Sequence, residues 1–383
     1  VNLGRSRSEA SRTAPDAAAA PAHDATAEPD GAPEPQAFAR FAAVAEQVKG
    51  TPRKLEKIVV LRQYLAELPP EDAARAALFF TARPFPQADG RVLTMGWAVI
   101  KRAVLEVAGL SEGDYRSAYQ RFADAGDAAE ALLQNRGNHP RVAPGAATLA
   151  TIATFFADIA ATRGPTAKLD RLQTLLGELS PPEAKYLVKI VTGDLRIGLK
   201  EGLVEEAVAA AAGQPIEAVR EANMLSGDMA EVTRAARTGT LEGIQLRVFH
   251  PLQFMLASPE PTAGAILARL APPVWLEEKY DGIRCQLHKQ GERVEIYSRD
   301  LKRITEQFPD LARAARDLAG DFIGDGELLA WRDGRALPFA ELQKRLGRKG
   351  DDFFLGTEIP VSISFYDLLW RDGRSLLREP LSR

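Results

Sequence analysis

The sequence predicts a multidomain chain, an all-α region followed by an α+β region built on antiparallel strands, and three observations predict it. From Phe38 to about Gly239 apolar residues recur three and four positions apart, the spacing of one helix face. After Leu241 the period falls to two, the spacing of one strand face. Residues 1–35 are Ala, Pro, Asp and Glu with almost nothing large and apolar, a composition that cannot offset the entropy of ordering. The chain thus divides into a disordered tail (1–35), a helical domain (36–245) and an α+β domain (246–383), the boundary falling within 240–252.

In the helical part, Leu55, Ile58, Leu61, Leu65 and Leu68 mark one amphipathic helix. Ser180-Pro181-Pro182-Glu183 combines a Ser cap, a proline at the first helical position and a Glu three residues after the cap, a strong start signal. Gly193 closes that helix. Further helices are expected over 201–212, 216–224 and 228–237, separated by Gly213-Gln214-Pro215 and Ser226-Gly227. Trp97, Tyr186 and the Phe155-Phe156 pair are expected in the core. No fixed-period repeat points to a solenoid. Beyond the boundary, Trp275–Lys279, Ile283–His288, Val294–Arg299, Phe322–Leu328 and Val361–Asp367 read as strands, with a helix near 304–318.

Composition excludes several classes. With 45% hydrophobic and 26% charged residues among 383, the chain is not wholly disordered, collagenous or coiled-coil. Its formal charge of −3 denies it the global positive field of a polybasic protein, so a polyanionic partner would have to meet a local patch. The acidic excess lies in the tail, which holds three arginines and six carboxylates. The single cysteine, Cys285, and the scattered His23, His139, His250 and His288 offer no disulfide and no metal-ligand spacing. The apolar stretch from Gly145 to Ala157 is too short to span a bilayer and reads as a buried helix. The N-terminus carries arginines but no apolar core, so no secretory signal is expected. The expectation is a cytoplasmic protein, free of membranes.

The sharpest chemical feature is Lys279-Tyr280-Asp281-Gly282-Ile283-Arg284, a lysine before a tight Asp-Gly turn and an arginine on the returning strand. Strand alternation lets Glu277 and Lys279 project together, and sets Arg284, Gln286 and His288 on one face with Ile283, Cys285 and Leu287 on the other. The polar set could line a pocket and the apolar set a core. In Asp325-Gly326-Glu327 the two carboxylates share a face, and Ser362, Ser364 and Tyr366 oppose Val361, Ile363 and Phe365. A lysine amine beside carboxylates and arginines suits covalent attack on phosphorus, which requires the unprotonated amine and favours burial or nearby cations around it. Arginines and a divalent metal would neutralise charge on the phosphate.

On these residues the sequence resembles the ATP-dependent DNA ligases of the covalent nucleotidyltransferase superfamily. Glu277 to Arg284 resembles their nucleotidyl-lysine motif, and Tyr297-Ser298-Arg299-Asp300, Asp325-Gly326-Glu327 and Ser364-Phe365-Tyr366-Asp367 resemble the motifs that follow, in order and spacing. The helical region resembles the family's DNA-binding domain, most closely at Gly193–Leu199 and Met224–Asp228. The resemblance implies that Lys279 takes AMP from ATP and passes it to the 5′-phosphate of a nick in duplex DNA, which the neighbouring 3′-hydroxyl then seals. It implies Glu277 at the adenine amino group, Arg284 and Glu327 at the ribose, Arg299 at phosphate, Tyr366 stacked on adenine, and Glu327 as an aid to Mg2+ or another divalent cation. Arg196, the Gly198 backbone and Lys200 would meet DNA phosphates at a helix start, where free amides favour anions.

The family's adenylation domain continues past the aromatic-Asp motif with a Glu-Gly motif, a Lys-x-Lys motif and an OB-fold domain. None is found in this chain, so the expectation is an incomplete adenylation domain, a missing C-terminal portion and weak or no sealing by residues 1–383 alone. The expected molecule is a monomer acting in replication, repair or recombination, nucleoid-associated if bacterial. An RNA ligase or capping-type nucleotidyltransferase shares the lysine motif, but the helical domain argues against both. A non-catalytic binder of nicked DNA is the third reading.

Overall fold

A computed structural model describes residues 34–134, 147–270, 272–346 and 359–381. The expected tail thus lies almost wholly outside the described residues. Among these, twelve α-helices run between Phe38 and Thr238. The helix Pro181–Thr192 starts where its cap predicts: the Ser180 amide donates to Glu183 Oε2 at 2.9 Å, its hydroxyl donates to the same oxygen, and Gly193 closes the helix at φ +78°. The helices Glu201–Ala212, Ile216–Ser226 and Met229–Thr238 follow, the second running two residues past the expected 224. No helix among the described residues is long and apolar enough to cross a membrane.

The helical core gathers Phe38, Phe41, Phe79, Phe156 and Tyr186, all fully buried. Two expectations fail at its edge. Trp97 is 41% exposed and packs on Tyr115 and Tyr119, each ring 5.5 Å away. Leu55, on the helix Lys54–Glu67, is 77% exposed while Leu61, Leu65 and Leu68 are buried. At 100° per residue Leu55 stands roughly 80–140° around the helix from those three, off their stripe.

Lys185 and Lys189, one turn apart, are buried rather than solvated. Lys185 Nζ meets Glu46 at 2.5 Å, Glu130 at 2.9 Å and Asp127 at 3.0 Å, and Lys189 Nζ meets Asp124 at 2.7 Å and Asp127 at 3.1 Å. Burial pushes the Asp127 carboxyl up, yet Lys49, Lys185 and Lys189 together hold it well below the usual carboxylate range.

The second region is an antiparallel sheet of six strands, β1 (Ile283–Gln290), β2 (Arg293–Ser298), β3 (Phe322–Arg332), β4 (Arg335–Ala336), β5 (Val361–Arg371) and β6 (Arg374–Ser375). Their order is β2-β1-β3-β5-β6, with β4 paired to β3. One face buries Cys285, Leu287, Ile296 and Leu328 against Phe308 and the helix Pro309–Arg316. That helix is shorter than the expected 304–318, because Pro309 fixes its start after a tighter turn at Thr305–Gln307. The opposite face carries Gln286, His288 and Tyr297 and meets the chain segment 249–255. A small core of Leu225, Leu252, Ile323 and Leu369 joins helices and sheet.

The expected strand Trp275–Lys279 forms no ladder with the described residues and is exposed, Trp275 at 67% and Leu276 at 92%. Its alternation fits a strand, but a ladder also needs a neighbouring chain to pair with.

Candidate active site

The site gathers at the end of the sheet where β1 begins. Arg284 stands opposite Glu327 in the β1–β3 register, and Gln286 opposite Asp325. Side chains two apart share a face, so Arg284, Asp325 and Glu327 converge. Arg284 Nη2 lies 2.8 Å from Asp325 Oδ2 and Nε 3.3 Å from Oδ1, a two-pronged pair with only 9% of the Asp325 side chain exposed. Its third nitrogen donates to the Met255 carbonyl at 2.5 Å. The guanidinium also lies 4.7 Å from the Phe254 ring and 5.6 Å from the Tyr366 ring, an aromatic bracket favourable to a cation.

Glu327 Oε1 accepts the Gly282 amide at 3.1 Å. Burial pushes its pKa up from the ordinary value, moderated by that amide and by the charges of Lys279 and Arg284. Burial likewise raises Tyr366. Both glycines of the two motifs are steric requirements. A Cβ on Gly282 would stand 2.3 Å from the Leu328 carbonyl oxygen, and one on Gly326 would stand 2.5 Å from that of Ser364.

The structure therefore brings together Arg284, Glu327 and Tyr366. Lys279 sits three residues before Gly282, close enough for its charge to act on Glu327, but its side chain is exposed, with Nζ 3.5 Å from the Tyr280 carbonyl oxygen. Glu277 is exposed on the same unpaired segment. Arg299 is exposed in the turn after β2, one residue past Ser298, which pairs with Cys285, and so lies at the same sheet end as Arg284. Gln286 lines the same cavity as Arg284 and Asp325, as expected, whereas His288 does not reach it. Gln286 and His288 are 1% and 0% exposed, covered by 249–255. Asp325 has no role among the expected contacts, although it shares a strand face with Glu327. Phe254 and Met255 lay outside every motif.

In the helical region Leu195 and Ile197 are buried while Asp194, Arg196, Gly198 and Lys200 face outward. Arg196 adopts φ +51° and Gly198 φ +63°. The Arg196 guanidinium lies 3.3 Å from Asp194 and 3.5 Å from Asp124 and donates to the Ala123 carbonyl, so two carboxylates partly answer its charge. Lys200 precedes the first turn of the helix Glu201–Ala212. A cation the sequence did not point to stands behind this loop: Lys57, 4% exposed, donates to the Ile197 carbonyl, and burial lowers its pKa.

Among the described residues no three His, Cys, Asp or Glu side chains group as a metal site. With Asp325 engaged by Arg284, Glu327 is a carboxylate that suits a Mg2+ drawing its other ligands from phosphate and water.

Comparison with known proteins agrees with this geometry. Residues 37–209 match the family described as DNA ligase N terminus, and residues 254–383 match the ATP dependent DNA ligase domain. A probable DNA ligase of Opitutus terrae is 62% identical over 91% of this chain, and one of Koribacter versatilis 42% identical over 89%. DNA ligase 1 of Korarchaeum cryptofilum is 33% identical over 89%. The chain spans 40%, 58% and 62% of the lengths of these three relatives. With both matched domains in the family's order and the motif residues of β1, β3 and β5 converging at one sheet end, the chain belongs to the ATP-dependent DNA ligase family.

Proposed function

We propose that the chain is an ATP-dependent DNA ligase acting on nicked duplex DNA through a lysyl-AMP intermediate, in replication, repair or recombination. The observation that carries the reading is the convergence of Arg284, Asp325, Glu327 and Tyr366 beside the Lys279 motif, in a chain matched by both ligase domains. The division at 36–245 and 246–383 then separates a DNA-binding from an adenylating domain, in a monomeric, cytoplasmic enzyme with ATP and nicked DNA as partners.

Lys279 Nζ forms a bond to the α-phosphorus of ATP as the α–β bridging P–O bond breaks. Pyrophosphate leaves and the amine sheds its proton to solvent. The 5′-phosphate of a nick then attacks the AMP phosphorus and frees the lysine. Attack by the 3′-hydroxyl on that 5′-phosphate closes the strand and releases AMP. Arg284, held by Asp325, and Glu327, held by the Gly282 amide, suit the ribose hydroxyls. Tyr366 offers a ring for adenine, Glu277 an acceptor for its amino group, and Arg299 a charge for phosphate. Mg2+ held at Glu327 would neutralise phosphate charge. Arg196, the Gly198 amide and Lys200 would hold DNA phosphates, contacts that position the duplex without reading its sequence.

Incubation with α-labelled ATP, followed by mapping of the adduct, tests the reading. Label on Lys279, absent in Lys279→Ala and not formed from GTP, is the expected result. Labelling by GTP alone favours a capping-type enzyme, and nick-selective binding without any adduct favours a non-catalytic binder.

A further inference from the structure

The segment that leaves the helices and enters the sheet is tied down at both ends by side chains that belong to neither proposed substrate contact. On the sheet side, the Gln286 carboxamide uses both its ends on one residue, accepting the Leu252 amide at 3.1 Å and donating to the Leu252 carbonyl at 2.8 Å. His288 Nδ1 accepts the Phe249 amide at 3.0 Å, and Arg293 covers the Phe249 ring at 3.8 Å. Phe249 itself is held at φ +64°, a left-handed conformation that a bulky residue keeps only when its surroundings impose it.

On the helical side, the Gln253 amide donates to the Met224 carbonyl at 2.9 Å, and its side-chain Nε2 donates to Glu201 Oε1 at 3.2 Å. Glu201 is the first residue of the helix that follows Lys200, and it also receives Arg83 at 3.0 Å and Asn223 at 3.0 Å. One and two residues beyond Gln253, the Phe254 ring and the Met255 carbonyl hold Arg284. A continuous set of contacts therefore runs from the 196–200 loop through Glu201 and Gln253 to Arg284 and Asp325.

We propose that 249–255 is a strap coupling DNA at the 196–200 loop to nucleotide at Arg284, with Gln253 and Gln286 as positioning residues. The inference rests on the proposed function. A phosphate drawn to the start of the Glu201–Ala212 helix moves or steadies Glu201, Glu201 holds Gln253, and the strap sets where the Met255 carbonyl meets Arg284. Gln286 fixes the strap to the sheet, so displacement at one end is delivered to the other. The measurable content of the coupling is a change in one affinity caused by the other ligand.

The test is equilibrium binding to the 383-residue chain of α,β-methylene-ATP, an ATP analogue that cannot transfer AMP to Lys279, with and without saturating nicked duplex. The expected result is that the duplex tightens binding of the analogue at least about threefold. Gln253→Ala and Gln286→Leu should bring that ratio to about one, with each ligand alone bound within about twofold of the parent and the fold intact by circular dichroism. Gln253→Glu should also lose the ratio, by facing one carboxylate with another. The paired exchange Glu201→Gln with Gln253→Glu returns an amide facing a carboxylate and should recover it, which loss of packing alone would not produce. Equal affinity for the analogue with and without DNA in the parent chain, or an unchanged ratio in Gln253→Ala, overturns the strap and leaves the ligase reading standing. A chain that binds neither the analogue nor nicked DNA overturns both.

Discussion

Arg284 on β1 reaches diagonally across the ladder to Asp325 on β3, Nη2 to Oδ2 at 2.8 Å, although the residue directly opposite it is Glu327. The diagonal pair leaves Glu327 to take the Gly282 amide, so each carboxylate of the Asp-Gly-Glu motif has its own task. Asp325→Ala should weaken ATP binding about tenfold, since Arg284 loses its orienting partner. It should also cost about 1–3 kcal/mol of stability, the scale for a buried group left without its hydrogen bonds. Nucleotide titration and urea melts read the two effects, and an unchanged ATP affinity would remove Asp325 from the site.

Gly282→Ala tests the closeness of the turn to β3. Its Cβ would stand 2.3 Å from the Leu328 carbonyl oxygen, closer than real contacts allow, and 3.0 Å from Glu327 Cγ, a tight contact, so the turn must move and the hydrogen bond to Glu327 with it. Lysyl-AMP formation should fall at least about tenfold, a rise in barrier of about 1.4 kcal/mol. Adduct formation at the parent rate in a single-turnover assay would contradict the assignment.

His288 gives a pH prediction. It is fully buried, and burial, followed by the charge of His250, depresses its pKa to about 3. The folded value lies below the unfolded value of about 6.5. Its contribution is therefore present above pH 6.5 and is lost as pH falls toward 3. Between pH 7 and pH 5 the loss should be about 2 kcal/mol. Denaturant melts at the two pH values should show that loss in the parent and a smaller one in His288→Gln, and equal losses would refute it.

Lys189 and Arg196 are both cations of the helical region with opposite expected behaviour. Lys189 is 1% exposed between Asp124 and Asp127, and Lys189→Ala leaves those carboxylates unanswered at a cost of about 3–5 kcal/mol. Arg196, 53% exposed, should barely change stability, but Arg196→Ala should reduce the salt dependence of DNA binding by about one phosphate's worth. Thermal melts and binding at several salt concentrations separate them. A reduced salt slope in a folded Lys189→Ala would show the buried reading to be wrong.

The helical region was legible because its signals are local. The Ser180 cap, Gly193 and the breaks at 213–215 and 226–227 each act within one turn, and the helices begin and end at them. The β strands and their faces were legible from alternation, while the meeting of Arg284 with Glu327 came from the family resemblance and the pairing of Arg284 with Asp325 only from the register. What failed depended on partners distant in sequence. The burial of Lys185 and Lys189 carries no local signal, because their carboxylates come from the helix Phe38–Gly50 and from Asp124 and the helix Ala125–Gln134. His288 looked like a pocket residue because the strap that covers it carries no motif. Trp275–Lys279 alternates like a strand, yet alternation supplies no neighbour.

Cys285 lies between these residues on β1, opposite Gly326 and fully buried. Burial, then the nearby Asp325 and Glu327 charges, push its thiol up to about 12. It is the chain's single cysteine, so a thiol reagent in solution has one target and no thiolate to attack while β1 and β3 stay paired. The rate at which such a reagent colours the protein is then a clock for the opening of the sheet, readable without any engineered label.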